Sequence, residues 1–337
     1  MIITLKSGIN KAQVDAIQKS IKKFGLTPHV SHGAVRTIIG VIGGNDYKYK
    51  EQLEALEGVE SVTPILKPYK LVSREFRKDD TVIDIKGVKL GGQQVAIIAG
   101  PCSVDTKENL LLCARAVKKS GAHFLRGGAY KPRTSPYAFQ GHGETALKYL
   151  AEARKATGLP VVTEVMDTRQ VDIVCKYADV LQIGARNAQN FDLLREVGLC
   201  KKPVMLKRGM ANTIEEWLMS AEYIVSKGNS NVFFCERGIR SFETATRFTM
   251  DINAIPAIKH LTHLPVIIDP SHGVGVRDYI GAIALAGIAA GADGVMVEVH
   301  PKPTEALSDG PQALLPVTFD ALMNDMRKVA FAVGRTI

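Results

Sequence analysis

From residue 95 to residue 300 the chain repeats one pattern eight times, a short apolar, largely β-branched run followed by a longer amphipathic stretch. The runs are VAIIAG (95–100), HFLRGGA (123–129), PVVTEVM (160–166), VLQIGA (180–185), PVMLKRG (203–209), VFFCERG (232–238), PVIIDPSH (265–272) and GVMVEVH (294–300). They read as continuous apolar segments rather than as strict alternation, so both faces of each strand must be covered, as in a parallel sheet. Between them, 106–119, 144–157, 214–227 and 278–290 read as amphipathic helices, and 317–334 closes the series. Eight strand–helix units in about 240 residues is the count and size of a (β/α)8 TIM barrel. A doubly wound open sheet usually has fewer strands and a glycine-rich turn after the first one, and that turn is absent.

The N-terminal residues have a different rhythm. IITL reads as a strand, 10–24 as a helix, HVSH and VRTIIGVIG as two strands meeting at Gly33, 46–57 as a helix and 59–66 as a strand. This βαββαβ order predicts a small α+β ferredoxin-like domain over 1–66. Residues 67–92, rich in Lys, Arg and Asp with one short hairpin in VIDIKGVKL, read as a linker, which leaves 93–337 for the barrel.

The net charge of +9 admits either a basic surface for nucleic acid or basic residues gathered around a phosphorylated substrate. No basic run interleaved with aromatics and no zinc-finger or helix-turn-helix spacing is present, so nucleic acid is not the expected partner. No run approaches the roughly 18 apolar residues of a membrane span. The start, MIITLKSG, lacks the basic-then-apolar pattern of an export signal, and the cytoplasm is the expected compartment. Five cysteines, an odd number without CxxC spacing, predict no disulfide framework. Cys102 is singled out for chemistry, and the others are expected to be small buried hydrophobes.

In a TIM barrel the working residues lie at the carboxyl ends of the strands and in the loops that follow. Here those positions carry Cys102, Arg126, Glu164, Arg186, Lys207, Glu236 with Arg237, Asp269 with His272, and Glu298. Charge at nearly every strand end predicts a polar site at the barrel mouth. Cys102, His272 and Glu298 close strands one, seven and eight, neighbours in a closed barrel, and Asp309 lies in the loop after strand eight. A thiolate, an imidazole and two carboxylates form a mixed set suited to one divalent Mn²⁺, Fe²⁺, Zn²⁺ or Co²⁺ ion. Arg126, Lys131, Arg133, Arg186, Lys207 and Arg237 are expected at the same rim. Six cations facing one pocket call for substrates bearing several negative charges, less one or two cations spent on rim salt bridges to Glu144, Glu164 or Glu236. The loop KPRTSPYAFQGHG (131–143) reads as a substrate-binding loop, with Thr134 and Ser135 offering hydroxyls beside Arg133.

These residues carry a resemblance. AGPCS (99–103), LRGGAYKPRTSPYAFQG (125–141), IGARNAQNF (183–191), LKRGM (206–210), CERGIR (235–240), DPSHG (269–273) and EVHPKPTEALSDGPQ (298–312) make the sequence similar to the 3-deoxy-D-arabino-heptulosonate 7-phosphate (DAHP) synthases. It most resembles their short microbial type with an N-terminal ferredoxin-like regulatory domain. The resemblance implies condensation of phosphoenolpyruvate with erythrose 4-phosphate at the head of the shikimate pathway, with a divalent metal and no organic cofactor. It places phosphoenolpyruvate on Arg126, Lys131, Arg186, Lys207, Arg237 and the Ala185 backbone N–H, and the second phosphate on Arg133, Thr134 and Ser135. Cys102, His272, Glu298 and Asp309 become metal ligands, with Lys131 and Glu164 as proton-transfer candidates. It further implies a homotetramer and inhibition by tyrosine or phenylalanine. His29 and Ser31, two apart on one strand face, are the residues able to meet such an effector.

The 3-deoxy-manno-octulosonate 8-phosphate synthases are the alternative. They are similar to Lys-Ala-Asn-Arg-Ser where this chain has Lys131-Pro132-Arg133-Thr134-Ser135, and the Pro-Arg-Thr form favours the four-carbon aldehyde. Two readings from other classes are a metal aldolase that releases no phosphate and a non-catalytic anion sensor.

Overall fold

The eight apolar runs become eight parallel strands that close on themselves. A computed structural model describes residues 1–33, 36–43, 46–63 and 67–337. They divide into two compact units, one of Met1–Asp79 with Leu261–His263, the other of Asp80–His260 with Leu264–Ile337.

The first unit contains β1 (Ile2–Leu5), α1 (Lys11–Lys23), β2 (Thr27–His32), β3 (Thr37–Ile42), α2 (Lys50–Glu54) and β4 (Val59–Thr63). The sheet order is β2-β3-β1-β4, antiparallel throughout, with Ile3 opposite both Ile39 and Val62. Helix α1 starts at a reciprocal cap between Asn10 and Gln13 and buries Val14, Ile17 and Ile21, spaced for one face. The expected helix over 46–57 is instead a one-turn 3-10 segment (Asp46–Tyr49) leading into the five-residue α2. Val35 of the expected third strand and residues 64–66 of the expected last one lie outside the described residues.

The segment read as a linker divides between the units. Residues 67–79 belong to the first, and the hairpin β5 (Ile83–Ile85) and β6 (Val88–Leu90) to the second. Ile83, Ile85 and Leu90 are buried against Ala96, Phe124, Val162, Val180, Met205, Phe233 and Ile267, residues near the starts of the barrel strands. Their alternation puts three apolar side chains on one face of the hairpin, so it serves as the barrel floor.

The barrel strands are β7 (Ala96–Gly100), β8 (Phe124–Arg126), β9 (Val161–Glu164), β10 (Val180–Ile183), β11 (Val204–Lys207), β12 (Val232–Glu236), β13 (Val266–Ile268) and β14 (Gly294–Glu298). Outside them run α3 (Lys107–Ser120), α4 (Glu144–Thr157), α5 (Val171–Tyr177), α6 (Phe191–Leu199), α7 (Ile214–Val225) and α8 (Ala254–Leu261). The one-turn α9 (Pro270–Val274), then α10 (Arg277–Ala289) and α11 (Pro316–Ala332), complete the ring. Thr106, Asn190 and Thr213 cap α3, α6 and α7 with their side-chain oxygens, fixing where each loop gives way to helix. All five cysteines are free. Cys113 and Cys235 are buried as expected, whereas Cys175 and Cys200, at the ends of outer helices, are only half-buried. No helix among the described residues is long and apolar enough to cross a membrane.

Candidate active site and metal centre

The site is assembled at the carboxyl ends of β7, β8, β13 and β14. β7 ends at Gly100 with φ 151°, where a Cβ would stand 2.1 Å from the Arg126 carbonyl oxygen. Only glycine allows β7 and β8 so close, and the chain then turns through Pro101 to present Cys102. After β13, Asp-Pro-Ser-His forms the single turn α9, with Pro270 at its start. Asp269 serves both ends of that turn, since Oδ1 accepts from the His272 backbone N–H (3.1 Å) and Oδ2 from His272 Nδ1 (2.7 Å). The imidazole is thereby locked with Nε2 facing inward, and Ser271 Oγ accepts from the Glu298 N–H at 2.9 Å to join the turn to β14.

Inside, His272 Nε2 lies 3.0 Å from Glu298 Oε1 and 4.0 Å from Cys102 Sγ, and Cys102 Sγ is 2.9 Å from Asp309 Oδ2. One donor atom from each of Cys102, His272, Glu298 and Asp309 falls within 4.8 Å of the others. A sulfur, a nitrogen and two carboxylate oxygens converging behind a carboxylate-oriented histidine fit a borderline divalent cation. Asp309 adopts φ 51°, the left-handed region that aspartate tolerates better than most residues. Its loop is held by Ser308–Ser103 (2.6 Å), Arg277 Nη2 to the Gly310 carbonyl (2.9 Å) and Gln312 Nε2 to Glu298 Oε2 (2.6 Å).

The electrostatics follow from burial. Burial alone would lower the His272 pKa, but the Asp269 and Glu298 carboxylates outweigh it and raise it to about 9. Glu298 is desolvated, yet His272 and Arg126 hold it well below the ordinary carboxylate range. Lys131 is also buried, and the neighbouring Cys102 and Glu164 charges more than reverse that burial, raising its pKa. Lys131 Nζ sits 2.9 Å from Cys102 Sγ.

Beside the cluster opens a cavity of about 320 Å³ lined by Arg126, Lys131, Arg133, Arg186, Lys207 and Arg237, with Thr134, Ser135, Glu164 and Ala185. The structure thus brings together every candidate anion binder of the barrel. Two of the cations are committed to buried carboxylates, Arg126 to Glu298 (2.8 Å) and Lys207 to Asp269 (2.5 Å). These are not the partners expected from the sequence. Glu236 bonds Arg208 (2.9 Å), and Glu144 bonds Lys148 (3.2 Å) out on α4. Glu164 Oε2 accepts from Gln182 (2.9 Å), while its Oε1 is buried with no partner. Arg237 Nη1 is likewise buried and unpartnered, its guanidinium stacked over Phe248 at 4.2 Å.

Sequence reasoning missed Arg247, which lines the same cavity and donates to Asp309 Oδ1 and Gln312 Oε1, both at 3.2 Å. It lies 11 residues beyond the end of β12, where position relative to a strand carries no information. The role of Asp269 was legible only as one more charged strand end. His29 and Ser31 lie in the other unit, on β2 two residues apart and therefore on one face. Ser31 borders a separate cavity there of about 590 Å³, with Thr4, Ile38 and Ser61. Burial lowers the His29 pKa, keeping it neutral at pH 7.

Comparison with known proteins agrees with this arrangement. Residues 80–332 match the DAHP synthetase I family, and residues 1–67 match the DAHP synthase ferredoxin-like domain. A phospho-2-dehydro-3-deoxyheptonate aldolase of Thermotoga maritima is 52% identical over 334 residues, 99% of each chain. A crystal structure of that enzyme from the same organism superposes with TM-score 0.80 at 51% identity, covering 99% of this chain and 98% of that one. More distant is a 2-dehydro-3-deoxyphosphooctonate aldolase of Bradyrhizobium diazoefficiens, 34% identical over 276 residues, 74% of this chain and 94% of its own. With both family models matched and a relative 52% identical over 99% of the chain, the protein, a TIM barrel with an N-terminal ferredoxin-like domain, belongs to the DAHP synthetase I family.

Proposed function

We propose that the chain condenses phosphoenolpyruvate with D-erythrose 4-phosphate, giving 3-deoxy-D-arabino-heptulosonate 7-phosphate and phosphate, the first step of the shikimate pathway. One observation carries this reading. The cavity beside the four-donor cluster holds Arg133, Arg186 and Arg237, none with a carboxylate partner among the described residues, so only a strongly anionic ligand pair balances it.

Phosphoenolpyruvate is held by Arg126, Lys131, Arg186, Lys207 and Arg237, with the Ala185 N–H on its phosphate. The erythrose phosphate is held by Arg133, Thr134 and Ser135. These contacts bring carbon 3 of the enol against the aldehyde carbon, an orientation that itself removes much of the barrier. The new C–C bond leaves carbon 2 cationic, water adds there, and phosphate departs with C–O cleavage. A divalent ion on Cys102, His272, Glu298 and Asp309, one of Mn²⁺, Fe²⁺, Zn²⁺ or Co²⁺, supplies Lewis acidity toward the aldehyde oxygen. Lys131, charged by its surroundings, donates the proton to that oxygen, and the unpartnered Oε1 of Glu164 takes one from the attacking water.

Gly184 tests the Glu164 role. Its backbone is ordinary (φ –71°), but a Cβ there would stand 2.0 Å from Glu164 Oε1. Gly184→Ala should displace the carboxylate and lower kcat by about 100-fold, the usual worth of a positioned acid or base. Steady-state kinetics with a thermal melt checks this, and an unchanged kcat in a folded protein removes Glu164 from the proton path.

The N-terminal unit is proposed to bind tyrosine or phenylalanine through His29 and Ser31, in a homotetramer as the family resemblance implies. His29→Ala should raise the tyrosine concentration for half-inhibition by roughly tenfold, about the worth of one hydrogen bond to a charged group, with kcat unchanged. Inhibition curves of the two proteins decide it.

The activity itself is tested by phosphate release from phosphoenolpyruvate with erythrose 4-phosphate or arabinose 5-phosphate, after EDTA and after Mn²⁺. Release with erythrose 4-phosphate alone, lost with EDTA and restored by the ion, is expected. Release with arabinose 5-phosphate instead would move the chain to the octulosonate synthases, and none with either would overturn the reading.

A further inference from the structure

The irregular chain between β12 and α8 brings Arg247 to the barrel mouth, and its backbone is pinned there. Ile239 and Thr249 pair antiparallel through two backbone bonds of 2.9 and 3.0 Å, so the segment between them leaves and returns at one point. Its returning arm docks on α9, the turn that carries His272. The Arg247 N–H donates to the Val274 carbonyl (2.9 Å) and the Phe248 N–H to the Gly273 carbonyl (3.0 Å). Gly275 permits this approach, since a Cβ there would stand 2.6 Å from the Arg247 Cβ.

From that anchor the side chain reaches both acidic members of the metal cluster on their outer sides. Asp309 Oδ2 faces inward, 2.9 Å from Cys102 Sγ, while Oδ1 accepts from Arg247 Nη1 at 3.2 Å. Glu298 Oε1 faces inward, 3.0 Å from His272 Nε2, while Oε2 accepts from Gln312 Nε2 at 2.6 Å. The Gln312 amide has one accepting and one donating end. Arg247 Nη1 donates to its Oε1 (3.2 Å), which turns the amide nitrogen toward Glu298. One guanidinium nitrogen thus occupies the outer oxygen of Asp309 directly and governs that of Glu298 through an amide. Each carboxylate is left with one oxygen facing the other donors.

We propose that Arg247 is a positioning residue of the metal centre, orienting Asp309 directly and Glu298 through Gln312 and so setting how tightly the cluster holds a divalent ion. The inference rests on the reading of Cys102, His272, Glu298 and Asp309 as ligands. As a plain ion pair, Arg247–Asp309 would count for little, because the Arg247 side chain is 37% exposed and screened by water. Its worth lies in orientation, and outer partners of metal ligands typically govern about 10–100-fold in affinity. The sign separates the two effects. Removing a cation beside the cluster would, by charge alone, tighten binding of a divalent cation, whereas loss of orientation weakens it.

The test titrates the full-length protein with Mn²⁺ after EDTA treatment, reading free Mn²⁺ by electron paramagnetic resonance, with a thermal melt to establish folding. Arg247→Ala is expected to raise the Mn²⁺ Kd by about 10–100-fold. Arg247→Lys, which keeps one donor nitrogen for the two acceptors, should recover part of the loss. Tighter binding or a change below tenfold in folded Arg247→Ala would overturn the proposal, as would a lysine variant no better than alanine. Should Arg247→Ala fail to fold, Gln312→Leu cuts the arm to Glu298 alone. It should weaken binding about tenfold, and unchanged binding would overturn the proposal. Because Mn²⁺ binding is read without substrates, a failure of phosphate release leaves this result standing. No Mn²⁺ bound by the unsubstituted protein would overturn the reading of the metal centre and this inference with it.

Discussion

Cys102→Ala is expected to fold, to lose tightly bound divalent metal, and to turn over more than about 100-fold more slowly with added Mn²⁺. Changes to residues that merely orient a ligand typically cost 10–100-fold in metal affinity or activity, so loss of a ligand atom should cost more. The thiol is the only soft donor of the four, and its sulfur lies within 4.0 Å of His272 Nε2 and 2.9 Å of Asp309 Oδ2. Alanine leaves the β7–β8 approach at Gly100 untouched, because that contact is backbone to backbone. It removes the sulfur beside Lys131 Nζ, and the ammonium keeps the Cys102 carbonyl at 3.4 Å. Metal content and Mn²⁺-supplemented kinetics on one preparation check the prediction. Near wild-type turnover would show that Cys102 holds no catalytic ion.

Arg237→Ala is expected to lower kcat/KM for phosphoenolpyruvate by about 10²–10⁴-fold. The guanidinium is only 6% exposed, opposes no carboxylate at bonding distance, and leaves Nη1 without a partner. Burial disfavours its charge, and a cation kept in that state without a counter-ion is expected where a ligand supplies the missing charge. Two charge-assisted hydrogen bonds, each worth about 1.5–3 kcal/mol, give that range. Arg237→Lys should recover only part of the loss, because a point charge cannot replace the planar fork. Comparison of kcat/KM for the three proteins checks this, and equal values would place the phosphoenolpyruvate phosphate elsewhere.

Much of the molecule was legible in the sequence because its signals are local. The eight apolar runs sit within one or two residues of the barrel strands at their starts, and α4 occupies 144–157 as its periodicity indicates. Charged residues at strand ends located the mouth because barrel topology fixes which end of every strand faces it. The Asp-Pro-Ser-His turn carries its own geometry, since Asp269 caps the turn it begins and orients the imidazole three residues on.

Other features were not legible, because they depend on which residues from distant parts of the chain meet. The VIDIKGVKL hairpin reads as linker, since five apolar residues in nine say nothing of the open barrel end that buries Ile83, Ile85 and Leu90. The pairing of Arg126 with Glu298 and Lys207 with Asp269, rather than with Glu164 or Glu236, follows from strand register and side-chain reach. Arg247 enters the site through a long loop, which no local pattern ties to the barrel mouth. By itself the sequence determined the element types, the barrel and the face that carries the chemistry, since hydrophobic period and turn residues act over a few positions. Only the tertiary structure decided which charges neutralise one another and which remain for a ligand, because desolvation and distance are set by residues far apart along the chain.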